Sequence, residues 1–230
     1  MTDADNGLVI FDCDGVLVDS EPLSIAVLVQ AMRDNGIEID EEGAYQRFLG
    51  KSLATLIDTL ETEFNVFADQ AFLDRIREDL YTKFRQELQP ISGISETLDA
   101  LKMRRCVASS SQLERIKLSL GLTGLLDRLE PDIFSASMVK RGKPAPDLFL
   151  YAAQQMGVAP EHCIVVEDSP AGIMAARAAG MIVFAFTGGS HASSAHYCAE
   201  LTRLAPEVVF DAMPDLIHLV QKVRMDGTKP

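Results

Sequence analysis

The stretch Leu8-Val9-Ile10-Phe11-Asp12-Cys13-Asp14-Gly15-Val16-Leu17-Val18-Asp19 decides the fold. Its first part, Leu8–Phe11, is an unbroken apolar run, which reads as a strand buried on both faces because a half-buried strand would alternate apolar and polar side chains. Asp12 and Asp14 follow at once, and their two-residue spacing places both carboxylates on one side of an extended chain. Gly15 then lets the backbone turn sharply. Two like charges at one strand end favour a bound cation or a raised pKa on one of them. A polar turn closing a strand is the better account of Asp-x-Asp-Gly when the segment is taken alone.

Further along, short apolar runs bounded by turn residues recur at Cys106–Ala108, Ile133–Ala136, Cys163–Val166, Ile182–Phe186 and Val208–Phe210. Helix-length segments lie among the later ones, at Gln112–Leu120, Asp147–Met156, Ala171–Ala179 and Pro214–Val223. Such alternation predicts an α/β fold, a doubly wound parallel sheet covered on both faces. Residues 22–90 break the pattern: Leu53, Leu56, Ile57, Leu60 and Phe64 form one helical stripe, and Leu73, Ile76, Leu80, Phe84 and Leu88 another. About four helices without a strand are expected there, forming a helical cap inserted into a discontinuous core of residues 1–21 and 91–230.

Composition restricts the function classes. The 230 residues are 47% hydrophobic, enough for a full core, and the formal net charge is −13. That charge argues against nucleic-acid or anionic-membrane partners, which require clustered Lys and Arg. No apolar stretch approaches the roughly 20 residues of a membrane helix, and residues 1–7 are polar and acidic, unlike a signal peptide. A soluble, cytoplasmic protein is expected. The four cysteines, Cys13, Cys106, Cys163 and Cys198, include no Cys-x-x-Cys pair, so they read as reduced thiols rather than a zinc site.

Two other strand ends carry polar groups that match Asp12 and Asp14. Cys106–Ala108 runs into Ser109, Ser110 and Ser111, and Cys163–Val166 runs into Glu167, Asp168 and Ser169. Ligands bind at the carboxyl ends of strands in open parallel sheets, so these groups are candidates to converge. The serines also suit a helix N-cap, and a helix N-terminus receives phosphate. Glu167 and Asp168 again suit a cap, with Pro170 in the first turn. Joined to Asp12 and Asp14, they suit a hard cation with oxygen ligands, most simply Mg²⁺. Lys143, in Lys143-Pro144-Ala145-Pro146-Asp147, is the candidate to hold a phosphoryl group and neutralise charge among the carboxylates.

In their order along the chain, these motifs resemble those of the haloacid dehalogenase superfamily: Asp12-Cys13-Asp14-Gly15-Val16 the first, Ser109 the second, Lys143 the third and Glu167-Asp168-Ser169 the fourth. The helical insertion resembles the family's four-helix cap, near the β-phosphoglucomutase-like and sugar-phosphate phosphatase branch. The resemblance implies a Mg²⁺-dependent phosphatase for small phosphorylated sugars or sugar acids, with a cap that closes over them. Asp12 would be the nucleophile and form an aspartyl-phosphate, and Asp14 the acid and base. Mg²⁺ would be held by Asp12, the Asp14 carbonyl and Asp168, with Glu167 as ligand or behind one, while Ser109, Ser110 and Lys143 bind phosphate.

Asp14 argues against dehalogenation, which needs no acid for a leaving alkoxide. The branch's phosphomutases carry a His and a Lys-Gly…Arg pattern where this chain has Ser24 and Leu49-Gly50-Lys51-Ser52-Leu53, a departure favouring water as acceptor over mutase activity. Arg47 and Lys51 are the cap's candidates to meet the substrate, against a reading as solvated helix-end charges. A non-catalytic regulator is the remaining class, and it would not need the paired carboxylates. Gly188-Gly189-Ser190-His191-Ala192-Ser193-Ser194-Ala195-His196 follows the strand Ile182–Phe186 and so could edge the site, and it reads as a mobile loop rather than a source of ligands from His191 or His196.

Overall fold

A computed structural model describes residues 7–49, 53–193 and 195–225. The chain divides into two compact units, between Asp19 and Ser20 and again between Gln89 and Pro90.

The larger unit holds a six-stranded sheet made from β1 (Leu8–Phe11), β2 (Arg104–Ser109), β3 (Ile133–Ser135), β4 (Cys163–Glu167), β5 (Ile182–Phe186) and β6 (Val208–Phe210). Its order is β3-β2-β1-β4-β5-β6, and every pairing is parallel. The chain therefore starts in the middle, winds outward through β2 and β3, and returns to wind the other way from β4. The reversal falls between β1 and β4, where an open sheet leaves a crevice beyond its strand ends. All four residues of β1 are 0% exposed, as a central strand covered on both faces requires.

Flanking helices lie among these strands. The larger unit's helices are α5 (Ile94–Ala100), α6 (Leu113–Leu122), α7 (Asp147–Met156), α8 (Pro170–Ala178), α9 (Ala195–Arg203) and α10 (Leu216–Met225), numbered after the four of the smaller unit. Leu148, Phe149, Ala152 and Ala153 of α7 pack with Leu8, Ile10, Cys106 and Val165 of the sheet. Burial of each large apolar side chain of this kind contributes about 1.5–3 kcal/mol. Gly157, in the left-handed region at φ 65°, ends α7.

The smaller unit is helical: α1 (Glu21–Asp34), α2 (Glu41–Phe48), α3 (Leu53–Phe64) and α4 (Gln70–Glu87). Asp40 and Asp69 cap α2 and α4 by accepting from the backbone N–H groups of Gly43 and Phe72. Ile25, Leu28, Val29, Met32, Phe48, Leu60 and Phe72 make up its own core. None of the helices among the described residues is long and apolar enough to cross a membrane.

Three local expectations need correction. The serine run is not the cap of α6: its N-cap is Gln112, one residue later, and strand β2 continues through Ser109. The cap of α8 is Ser169, which accepts from the Gly172 N–H, and not Glu167 or Asp168. The segment read as a mobile loop contains a 3-10 turn at Ser190–Ser193 and the start of α9.

Candidate active site

Asp12 follows β1 directly, and its N–H donates to the Val166 carbonyl at 3.0 Å, carrying the pairing of β1 with β4 one residue further. The backbone then folds back: the Gly15 N–H donates to Val18 O at 2.8 Å, and the Leu17 N–H to Cys13 O at 2.9 Å. Gly15 is required here twice over. Its φ is +79°, and a Cβ at this position would stand 1.9 Å from Asp168 Oδ2 and 2.8 Å from the His191 ring. Only a residue without a side chain lets the turn after β1 lie against the turn after β4.

Lys143 sits at the centre. Its Nζ donates to Asp12 Oδ1 at 2.7 Å and to Glu167 Oε1 at 2.5 Å, with its side chain 3% exposed. The ammonium also lies 4.9 Å from the Phe149 ring centre, an apolar backing that supports a cation. Glu167 is saturated from the other side, because Oε2 accepts from the Asp168 N–H, the Ser169 N–H and the Ser169 hydroxyl at 3.0, 3.0 and 2.9 Å. Gly172 makes room for it, since a Cβ there would stand 1.9 Å from the Glu167 carboxyl carbon.

Oxygens of Asp12, Glu167 and Asp168 lie within 4.8 Å of one another, and all three residues are buried. Burial is the largest influence on Asp12 and pushes its pKa well up, against the pull of Lys143 and with further upward pressure from Glu167, Asp168 and Asp14. Asp168 is also raised, again by burial first, with His191 opposing. For Lys143, burial works downward, but Asp12 and Glu167 outweigh it and the net direction is up. One ammonium thus lies beside three crowded carboxylates and bonds two of them. Hard oxygen donors with excess negative charge fit a small divalent cation such as Mg²⁺. Cys13, between the two aspartates, is pushed well up by burial and is inert as a thiolate.

Asp14 has both oxygens occupied. Arg115 Nη2 donates to Oδ1 at 2.8 Å, and the Ser111 hydroxyl donates to Oδ2 at 2.6 Å. Ser111 is itself held, because its N–H donates to Ser109 Oγ at 3.1 Å and its carbonyl accepts from Ser135 Oγ at 2.7 Å. Ser109 is 1% exposed, whereas Ser110 is exposed.

Of the sequence candidates, Asp12, Lys143, Glu167 and Asp168 come together, and Ser109 reaches Asp14 through Ser111. Arg47 is 42% exposed within the helical unit, where it pairs with Glu63 at 3.2 Å and lies 5.8 Å from the Phe64 ring. Lys51 lies outside the described residues. His191 stands at the edge of the site, as its place after β5 allowed, but it is packed rather than in a loose loop: it is 5% exposed, its Nε2 lies 2.9 Å from Asp168 Oδ2, and its ring meets Tyr197 edge-on at 5.7 Å. The Tyr197 hydroxyl donates to the Asp168 carbonyl at 2.9 Å. Sequence reasoning also missed Arg115. Its sequence carries no signal for this role, since Glu114 beside it in the first turn of α6 already offsets an Arg there.

The sequence profile of the haloacid dehalogenase-like hydrolases matches residues 9–186, and the chain belongs to that family. A 6-phosphogluconate phosphatase of Escherichia coli (strain K12) is 35% identical over 184 residues, covering 80% of this chain and 83% of the relative. The crystal structure of a haloacid dehalogenase-like protein of unknown function from Agrobacterium tumefaciens superposes with a TM-score of 0.84 at 36% identity, covering 95% of this chain and 99% of that one. A hydrolase of the same family from Deinococcus radiodurans, solved with bound phosphate and sodium, gives a TM-score of 0.77 at 30% identity, over 97% and 98% of the two chains.

Proposed function

We propose that this protein hydrolyses small phosphate monoesters of sugars or sugar acids, in a Mg²⁺-dependent reaction through a phosphoryl group carried on Asp12. The chain is an enzyme of the phosphoric monoester hydrolase class. The observation carrying the reading is Lys143 shared between Asp12 and Glu167 at the point where the sheet reverses its winding.

In this reading Oδ1 of Asp12 stays with Lys143 and the other oxygen attacks phosphorus in line. The bond from phosphorus to the ester oxygen breaks, and Asp14 gives its proton to the departing alkoxide. Water then attacks the aspartyl-phosphate, Asp14 takes a proton from it, and the bond from Asp12 to phosphorus breaks to release phosphate. Ser109 and Lys143 are assigned to the phosphoryl oxygens, together with the exposed Ser110. Mg²⁺ would be held by Asp12, Asp168 and the Asp14 carbonyl, and it would supply neutralisation of charge between nucleophile and phosphate. Glu167, which already accepts four hydrogen bonds, is assigned to fixing Lys143 and the turn after β4. The helical unit is assigned the role of cap that selects the alcohol portion of the ester.

Water as acceptor is supported by Ser24, whose hydroxyl donates back to the Ser20 carbonyl at 3.0 Å in place of a phosphomutase histidine. A panel of sugar and sugar-acid phosphates assayed with Mg²⁺ should release inorganic phosphate. EDTA should reduce release to background and added Mg²⁺ should restore it. Isomerised sugar phosphate without free phosphate would assign the chain to the phosphomutases instead.

His191 provides a second measurement. Partners that orient a metal-ligating group typically change metal affinity about 10–100-fold. His191→Asn shortens the side chain and removes the bond to Asp168, so the Mg²⁺ concentration that half-saturates thermal stabilisation should rise within that range. An unchanged midpoint would remove His191 from the metal's support.

A further inference from the structure

We infer that Arg115, acting with Ser111, is the positioning residue that holds Asp14 for proton transfer to and from the ester oxygen. The inference rests on the phosphatase reading and adds to it a device for keeping the acid in register. Asp14 lies beyond the end of β1 in a turn, where a short carboxylate has several rotamers open to it. Here Arg115 takes Oδ1 and Ser111 takes Oδ2, so the plane of the carboxylate is set from both ends.

The pair is well protected. Side-chain exposure is 23% for Arg115 and 13% for Asp14, so water screens the contact less than it screens an ion pair at the surface. The bonds to a charged carboxylate are also of the stronger, charge-assisted kind. Ser111 is braced by Ser109 on β2 and by Ser135 at the end of β3, which ties the orientation of Asp14 to two neighbouring strands.

The two donors fix different things. The planar Arg115 guanidinium sets the direction of Oδ1, and the Ser111 hydroxyl sets that of Oδ2.

The test separates positioning from general support of the fold. For each variant, kcat/KM is measured on a hexose phosphate and on 4-nitrophenyl phosphate with saturating Mg²⁺. This parameter covers the steps through departure of the leaving group, and a nitrophenolate leaves without a proton whereas an alkoxide needs one. General acid catalysis is worth about 10²–10⁴-fold, so Arg115→Ala should lower kcat/KM for the hexose phosphate by about 30-fold or more. The aryl ester should change by less than about 3-fold on the same scale of effects. Arg115→Lys, which keeps the charge without the planar fork, should recover part of the loss, and Ser111→Ala should show the same selectivity with a smaller amplitude. Because the ratio of the two esters is read within each variant, loss of folded protein cancels. Parallel losses on both esters would overturn the inference, as would an unaffected hexose phosphate rate. Wild-type protein inactive on both esters would overturn the phosphatase reading itself.

Discussion

Asp12→Asn should abolish phosphate release, by about 10⁴-fold or more, and at the same time make the metal-free protein more stable. The first effect follows from the proposed nucleophile: an amide does not form the phosphoryl bond on which the two-step reaction depends. The second follows from the crowding of Asp12, Glu167 and Asp168 within 4.8 Å of one another. Removing one charge leaves Lys143 bonded to Glu167 and relieves repulsion among the rest, a gain of the kind that active sites give up for function. At about 1 kcal/mol this raises Tm by about 2–4 °C. Saturating Mg²⁺ should instead favour the wild type, since a ligand at 100 times its Kd adds about 2.7 kcal/mol.

The pH dependence has a definite sign. The folded-state pKa of Asp12 is raised, so its favourable contribution is complete below the ordinary carboxylate value and is lost as the pH rises through the folded value. The Tm advantage of Asp12→Asn should therefore be largest near neutrality and shrink on acidification, because protonation does to Asp12 what the substitution does. Metal-free melting curves across that interval check it. An advantage that grows toward acid would mean that the carboxylate is stabilised in its charged form.

Lys143→Met should have the largest effect on stability. Removing one member of a buried charge cluster typically costs about 3–5 kcal/mol, because the partners are left uncompensated. For a chain of this size that is a fall in Tm of about 10 °C or more. The raised pKa of Lys143 places the loss of its proton at strongly alkaline pH. Its contribution is complete below the unfolded-state value and is lost only as the pH rises through the folded one, so the defect should be flat across neutrality. Turnover should fall about 10²–10³-fold, the usual cost of losing one donor to a developing charge. Mg²⁺ should restore part of the stability and little of the turnover. A variant with wild-type Tm would show that Asp12 and Glu167 do not rely on this cation.

Much of this was legible in the sequence because buried parallel strands leave a coarse trace. Leu8–Phe11, Ile182–Phe186 and Val208–Phe210 coincide with β1, β5 and β6, since each is an apolar run closed by a polar or turn residue. Arg104 and Arg105 hid the start of β2: Arg105 is a strand residue whose guanidinium bonds the carbonyls of Leu98, Leu101 and Arg128, a tertiary arrangement without a local signature. α5 was missed because seven residues hold too little periodicity. The packing of His191 was missed for a different reason. Small residues around it suggested a loose segment, yet those same residues let it approach Gly15 and Asp168, and the Ser190 backbone and hydroxyl are anchored on Asp19. Motif order located the carboxylates and Lys143. The partners of Asp14 depended on which face of α6 turns inward, and that is settled by packing.

The chain leaves and re-enters the sheet-bearing unit through adjoining backbone. The Ile91 N–H donates to Leu17 O at 3.0 Å, and Val18 bridges Pro90. Everything between them is, topologically, a loop already closed at its base. The entropy of closing a loop grows only with the logarithm of its length. Helices can accordingly be lengthened, replaced or rearranged in that interval with little penalty to the strand pairing that carries Asp12 and Glu167. Such a doorway uncouples the two parts of the chain: the strand pairing can stay constant while the inserted helices change.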